Sequence, residues 1–261
     1  HAPKARFWWI SLILWVLSLV GIGVLATQAA NNQGGIVSLI ETMQQLDDDY
    51  DWDDSDDTPM QAEQRTIEPF TDIDIRGCAA IHLIPSNDYQ LSLRSNSPAD
   101  VTTSVRDGVL YIEVANNRYT KAKMEISVPT LSAIRTAGAC KITCDMPLVV
   151  DSLLLDIAGA TQADLHLQAR SLTIDSKGAS ELDLSGTAEQ AAISLSGAGS
   201  IDAEHLVVQD MHINCAGASE AELNVQRSLW AQAAGASKIT YEGNPAIKQS
   251  MAVGGSVIKR D

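Results

Sequence analysis

A Gly-Ala pair returns every 18 to 21 residues through the second half of the chain, and few folds accommodate that rhythm. It stands at Gly138-Ala139, Gly159-Ala160, Gly178-Ala179, Gly197-Ala198, Gly217-Ala218 and Gly235-Ala236, with a Gly254-Gly255 variant at the end. A small residue follows two positions after each glycine, from Cys140 and Thr161 through Ser180, Gly199, Ser219 and Ser237 to Ser256.

Apolar residues alternate with polar ones on both sides of each glycine. Four positions before it stand Ile134, Leu155, Ile174, Ile193, Ile213 and Ala231; four after it stand Ile142, Ala163, Leu182, Ile201, Ala221, Ile239 and Ile258. Six after it come Cys144, Leu165, Leu184, Ala203, Leu223 and Tyr241. Period-two alternation across a fixed glycine describes two short strands meeting at a tight corner. Glycine suits the corner because it tolerates positive φ and lets the next backbone approach. One such coil cannot bury its own inward face. Stacked at about 4.8 Å, the coils form a continuous apolar column. The expected architecture is all-β, a parallel β-solenoid over residues 131–261 with structural corners at Gly138, Gly159, Gly178, Gly197, Gly217, Gly235 and Gly254. No coil contains enough 3.6-period pattern for a helical repeat.

Residues 66–130 also read as β. Ile73 and Ile75 precede Gly77, and Ile81 and Leu83 follow it, at the offsets of the later coils. Strands are predicted at 89–94, 109–114 and 123–128, with Asp107-Gly108 as a tight turn. Two readings of this stretch stand: degenerate coils, or a separate capping sandwich.

The core must be aliphatic, because aromatics are 5% of the chain and only two are Phe. That suits a narrow solenoid interior. The net charge of −15 argues against nucleic acid, whose phosphates would be repelled. Cys78, Cys140, Cys144 and Cys215 form no CxxC and no zinc spacing. The repeat places Cys140, Cys144 and Cys215 inward, as small buried hydrophobes. No cofactor is called for.

Residues 7–26, FWWISLILWVLSLVGIGVLA, are an uncharged run of 20, long enough to cross a bilayer as a helix. Lys4 and Arg6 precede it and no Lys or Arg follows until Arg65, which puts residues 1–6 in the cytoplasm and the rest outside. The rival reading is a signal peptide processed near Thr27-Gln28-Ala29, but the apolar run is longer than such regions usually are. The chain opens on His1, and a cytoplasmic extension upstream is expected. Residues 27–65 read as an acidic flexible linker. Ile36, Leu39, Ile40, Met43 and Leu46 suggest a short amphipathic helix, and residues 46–57 carry eight aspartates. A calcium loop starting at Asp49 fails, because its sixth and twelfth positions hold Asp54 and Met60.

The SGAG- and AGAS-type corners, the Ile75–Gly77 opening, the VPTLSAIRTAGA segment at 128–139 and YEGNP at 241–245 together resemble the head GIN domain family over roughly residues 66–261. The resemblance implies a right-handed parallel β-solenoid outside the cytoplasm, described as autotransporter-adhesin-like. It supplies no catalytic residues.

Catalysis on a solenoid needs residues that break the repeat and gather in a cleft. Here the coils are nearly uniform, Ser180, Ser219 and Ser237 are equivalent corner residues, and the five histidines show no metal or triad spacing. One outward row draws notice: Asp164, Asp183, Asp202 and Glu222 each lie five residues after a glycine, with Glu181 and Glu220 on the same face. Stacked like charges repel by roughly 1 kcal/mol per neighbouring pair even in a water-like dielectric. The row is read first as a solvated face that resists sheet aggregation, and second as a surface for a cation or basic ligand. The expected function is a non-catalytic, membrane-anchored envelope domain, not an enzyme, acting in binding, adhesion or scaffolding. Its partners would be the lipid bilayer through residues 7–26 and an envelope protein or glycan, with an oligomer left open. The alternatives are the extracytoplasmic part of an envelope-stress sensor or regulator and, behind it, a polysaccharide-active enzyme.

Overall fold

Inward and outward side chains alternate along nearly every strand, and this alternation builds the architecture. The computed structural model describes residues 59–115 and 120–261, all within the unit Gln45–Asp261. The elements are β1 (Gln61–Arg65), β2 (Asp72–Pro85), β3 (Gln90–Ser95), a 3-10 turn (Pro98–Asp100), β4 (Val101–Arg106), β5 (Val109–Val114) and β6 (Ala122–Val128). They continue with β7 (Ala133–Gly197), β8 (Ser200–Gly217), β9 (Glu220–Gly235), β10 (Lys238–Glu242), β11 (Ala246–Gly254) and β12 (Val257–Arg260). The fold class is all-β. The expected flank 1–6, membrane helix 7–26 and linker up to residue 58 lie outside the described residues. Among those described, no helix is long and apolar enough to cross a membrane. β1 occupies residues 61–65, so the end of the expected flexible linker is a strand.

β7 is 65 residues of unbroken extended backbone, which would run over roughly 200 Å if straight. It turns instead at its glycines. At Gly159 φ is +115°, and a Cβ there would collide with the carbonyl oxygen of Gly138 one coil earlier. Any side chain would force the two coils apart, which is why the corner is glycine. The corners interlock: the amides of Ala198, Ala218 and Ala236 donate to the carbonyls of Gly178, Gly197 and Gly217 at 2.8–2.9 Å.

Successive coils pair in parallel and in register. Gly77 faces Gly138, Gly197 faces Gly217, Gly217 faces Gly235 and Gly235 faces Gly254. Ile134, Leu155, Ile174, Ile193, Ile213 and Ala231 are all buried, as are Ile142, Ala163, Leu182, Ile201, Ala221 and Ile239. Each fully buried Ile or Leu stabilises by about 1.5–3 kcal/mol. The free thiols of Cys140, Cys144 and Cys215 sit inside this column.

The sheet is mixed, and the expectation of a purely parallel fold is corrected at its N-terminal part. β5 pairs in parallel with residues 72–76 of β2, and β6 with residues 80–85 of the same strand. Together they make one more coil, on the side of β2 opposite β7. Antiparallel strands then add to it: β4 on β5, β3 on β6 and β1 on β3. Asp107 and Gly108, at φ 51° and 75°, form the primed turn that matches the twist of the β4–β5 hairpin. The 60 residues between Gly77 and Gly138 are therefore not three further coils. They are an out-of-order coil with an antiparallel cap, and β2 stacks directly on β7.

Candidate binding surface

The repeated corner hydroxyls are structural. Ser180, Ser219 and Ser237 are buried, and Ser219 and Ser237 donate to the carbonyls of Ala216 and Ala234 at 3.1 and 2.9 Å. Ser180 shares a 2.6 Å hydrogen bond with Ser176. These bonds satisfy hydroxyls that burial would otherwise leave unpaired. Ser185 Oγ and His166 Nδ1 lie 3.2 Å apart across neighbouring coils, yet among the described residues no carboxylate hydrogen-bonds this imidazole. The inward thiols are held protonated by burial: Cys140 and Cys215 are pushed up to about 12 and Cys144 to about 11. A thiol in that state is a poor nucleophile.

The acidic row lies on the outward face. Asp183 faces Asp202, and Asp202 faces Glu222, with Asp164 exposed one coil earlier. The row ends where Lys238 enters the same face, ion-paired to Glu220 and 3.8 Å from Glu222. Sequence reasoning missed Glu204, which joins Asp202 and Glu222 with ligand atoms all within 4.8 Å of one another. Partial desolvation, followed by the carboxylates of Glu222 and Asp202, pushes Glu204 above its ordinary value. Its signal was available, since Glu204 is two residues from Asp202 and so has the same outward parity. Three close carboxylates are able to gather a cation, but an exposed acidic cluster is equally at home as a hydrated face.

A second surface went unnoticed in the sequence. Five positions before the glycine, consecutive coils carry Thr173, Ala192, His212, Trp230 and Gln249; three before it they carry Asp175, Ser194, Asn214 and Gln232. Both positions flank the buried Ile174, Ile193 and Ile213, so both point outward. The pairing fixes the lanes, with Ala192 beside His212, His212 beside Trp230 and Trp230 beside Gln249. The His212 and Trp230 rings stack with centroids 4.1 Å apart and planes 9° from parallel. Ala192 offers only a methyl group, and an open trough of about 550 Å3 forms there, lined by Thr173, Asp175, Ser194, His212, Asn214 and Trp230 among others. Asp175 is tied to Lys177 at 2.7 Å. The clue was that Trp230 is the only tryptophan after Trp52 and shares its repeat position with His212.

Comparison with known proteins places this arrangement. The family described as "Putative auto-transporter adhesin, head GIN domain" matches residues 69–245. A crystal structure described as a "putative adhesin", from Bacteroides fragilis NCTC 9343, superposes with a TM-score of 0.71 at 24% identity, covering 78% of this chain and 97% of that one. A "putative lipid binding protein" from Parabacteroides distasonis ATCC 8503 gives 0.62 at 19% identity, with 78% and 98% covered. A "putative adhesin" from Parabacteroides merdae ATCC 43184 gives 0.53 at 16%, with 78% and 97% covered. At these identities the likeness is one of fold. No curated protein matches the chain. The family match spans most of the described residues, from the strand that begins the stack to the turn after β10, and the chain belongs to the head GIN domain family.

Proposed function

We propose that this chain is a non-catalytic binding or adhesion module displayed outside the cytoplasmic membrane, held there by residues 7–26. In this reading, residues 131–261 form a right-handed parallel β-solenoid that serves as a rigid display surface. The observation that carries it is the registered outward lanes: side chains on neighbouring coils stand side by side, as His212 and Trp230 do. Such lanes present an extended face to a partner. The coils are short and even, with no long loops to wall off a reaction chamber, and the trough at His212 is open. The Bacteroides fragilis and Parabacteroides merdae proteins, each described as a "putative adhesin", agree with this reading. A lipid, as the description of the Parabacteroides distasonis protein has it for that chain, has less support here, because the trough is open to solvent and sets the polar side chains of Asp175, Ser194, Asn214 and Gln232 beside its apolar lining.

The test is in-cell crosslinking of the full chain, followed by identification of attached proteins and glycans. One dominant extracytoplasmic partner that depends on residues 66–261 supports the module. A partner found only on the cytoplasmic side moves the assignment to the envelope-stress sensor.

A further inference from the structure

This inference rests on the binding reading and gives it a site. We propose that the trough beside His212 and Trp230 binds a neutral glycan, with a pyranose ring seated over Ala192. A pyranose has a face of C–H groups and a rim of hydroxyls. A surface that takes one therefore pairs a flat aromatic wall with planar groups that both donate and accept hydrogen bonds.

The wall is the stacked His212–Trp230 pair, whose near-parallel planes brace one another. On its far side Trp230 meets Gln249, whereas His212 adjoins only the methyl of Ala192. The free aromatic face is thus the one turned toward the empty lane. That lane runs between those of Thr173 and His212, two strand spacings or about 10 Å apart. A sugar ring fits there with van der Waals contacts of about 3.5–4 Å on either side.

The polar half lies two residues along the same strands. Ser194, Asn214 and Gln232 stand in register, on consecutive coils. Among the described residues the amides of Asn214 and Gln232 have no hydrogen-bond partner. Each amide offers a donor and an acceptor, the combination that a pair of adjacent hydroxyls requires. Asp175, with one oxygen held by Lys177, adds an acceptor at the edge.

The surroundings select against other ligands. An acidic polymer would meet Asp175 and a chain of net charge −15. An extended peptide binding by strand addition needs a free backbone edge, whereas this face lies on strands already paired with their neighbours. An acyl chain would leave the amide lane unsatisfied.

The experiment is titration calorimetry of the full chain with a panel of neutral tetrasaccharides (cellotetraose, chitotetraose, mannotetraose and xylotetraose), and with a heparin tetrasaccharide as the charged comparison. The expected result is binding of at least one neutral member with Kd on the order of 0.1–1 mM and none of heparin. His212→Ala, which removes the ring that faces Ala192, should weaken it at least about 10-fold, and Trp230→Ala, which removes only the brace behind that ring, less than about 3-fold. Asn214→Ala/Gln232→Ala, confined to exposed side chains, should also weaken it about 10-fold and carries the test if the histidine variant misfolds. Undiminished binding in these variants overturns the site, as does a preference for heparin or silence from every neutral member up to about 10 mM. If the glycans fail while the crosslinked partner persists in His212→Ala, the trough is refuted and the binding module stands. If the unaltered chain captures neither a glycan nor an extracytoplasmic partner, both readings fall.

Discussion

At the β5–β6 end of the stack Leu110, Ile112, Met124 and Ile126 are fully buried, whereas at the β11–β12 end Ile247, Met251, Val253 and Val257 are 45–58% exposed. The difference follows from what lies beyond each coil. β1, β3 and β4 fold over the first end, and Phe70 packs on Tyr89 with ring centroids 5.3 Å apart. Arg65 fastens the strands by donating to the Val101 carbonyl, Thr103 Oγ1 and the Pro98 carbonyl at 2.7–3.2 Å. Among the described residues the β11–β12 coil has a neighbour on one side only, and Lys248, Lys259 and Arg260 place charge along it. Charge on an exposed strand discourages further pairing. A repeat whose units stabilise only their neighbours needs a different solution wherever the neighbours stop.

The contrast is most severely tested at the glycine column. Gly159→Val, which combines a left-handed φ with a backbone collision, should lose on the order of 4 kcal/mol or more by urea unfolding. Gly254→Val, on the outermost coil, should lose only about 1–2 kcal/mol. Equal losses would show that the end coil is as constrained as the middle. Next comes a matched pair in the apolar column: Ile213→Ala should cost about 3 kcal/mol and Ile258→Ala under about 1 kcal/mol, because the second opens no closed cavity. Arg65→Ala should cost about 1–2 kcal/mol and should raise amide exchange in β3 while leaving β9 protected. A uniform rise across both strands would mean that the cap stabilises the whole stack.

The thiols probe the interior by pH. Folded Cys140 and Cys215 titrate near 12, against 9.0 for the unfolded chain. Only the unfolded state loses the proton between these values, so their contribution is intact below pH 9 and declines as pH rises toward 12. By pH 10 the loss should be about 1 kcal/mol for each thiol, and Cys215→Ala should flatten the alkaline limb. The smallest effect belongs to Val253→Lys and Val257→Lys, each expected to leave stability within about 0.5 kcal/mol. A larger penalty would reveal that something covers the open end in solution.

The stack itself was legible because its rule is local: a glycine, with apolar residues at fixed even offsets, states the corner and both inward faces. The hairpin turn was legible for the same reason, since Asp107-Gly108 carries its own conformational signature. The cap was not. β3 meets β6 across about thirty residues, and β5 slips in on the far side of β2, choices that no residue between them announces. The expected linker hid β1 because QAEQR, exposed at nearly every position, has no buried face to mark it as a strand. The acidic row could be read as a row because equivalent offsets bring equivalent residues together. The trough escaped for the opposite reason. Ala192, His212 and Trp230 differ in size, and their importance lies in that difference, which a search for sameness averages away.

The nested glycines also mean that this molecule can change length only in whole steps. Each coil's backbone pairs only with the coil before and the coil after, so inserting or deleting one complete unit of about nineteen residues keeps the remaining corners in line. The two ends move apart or together by one strand spacing, about 4.8 Å. A partial unit would instead throw every later corner out of line. Reach is thus a discrete quantity here, adjustable by duplication without redesigning the capped end or the open one.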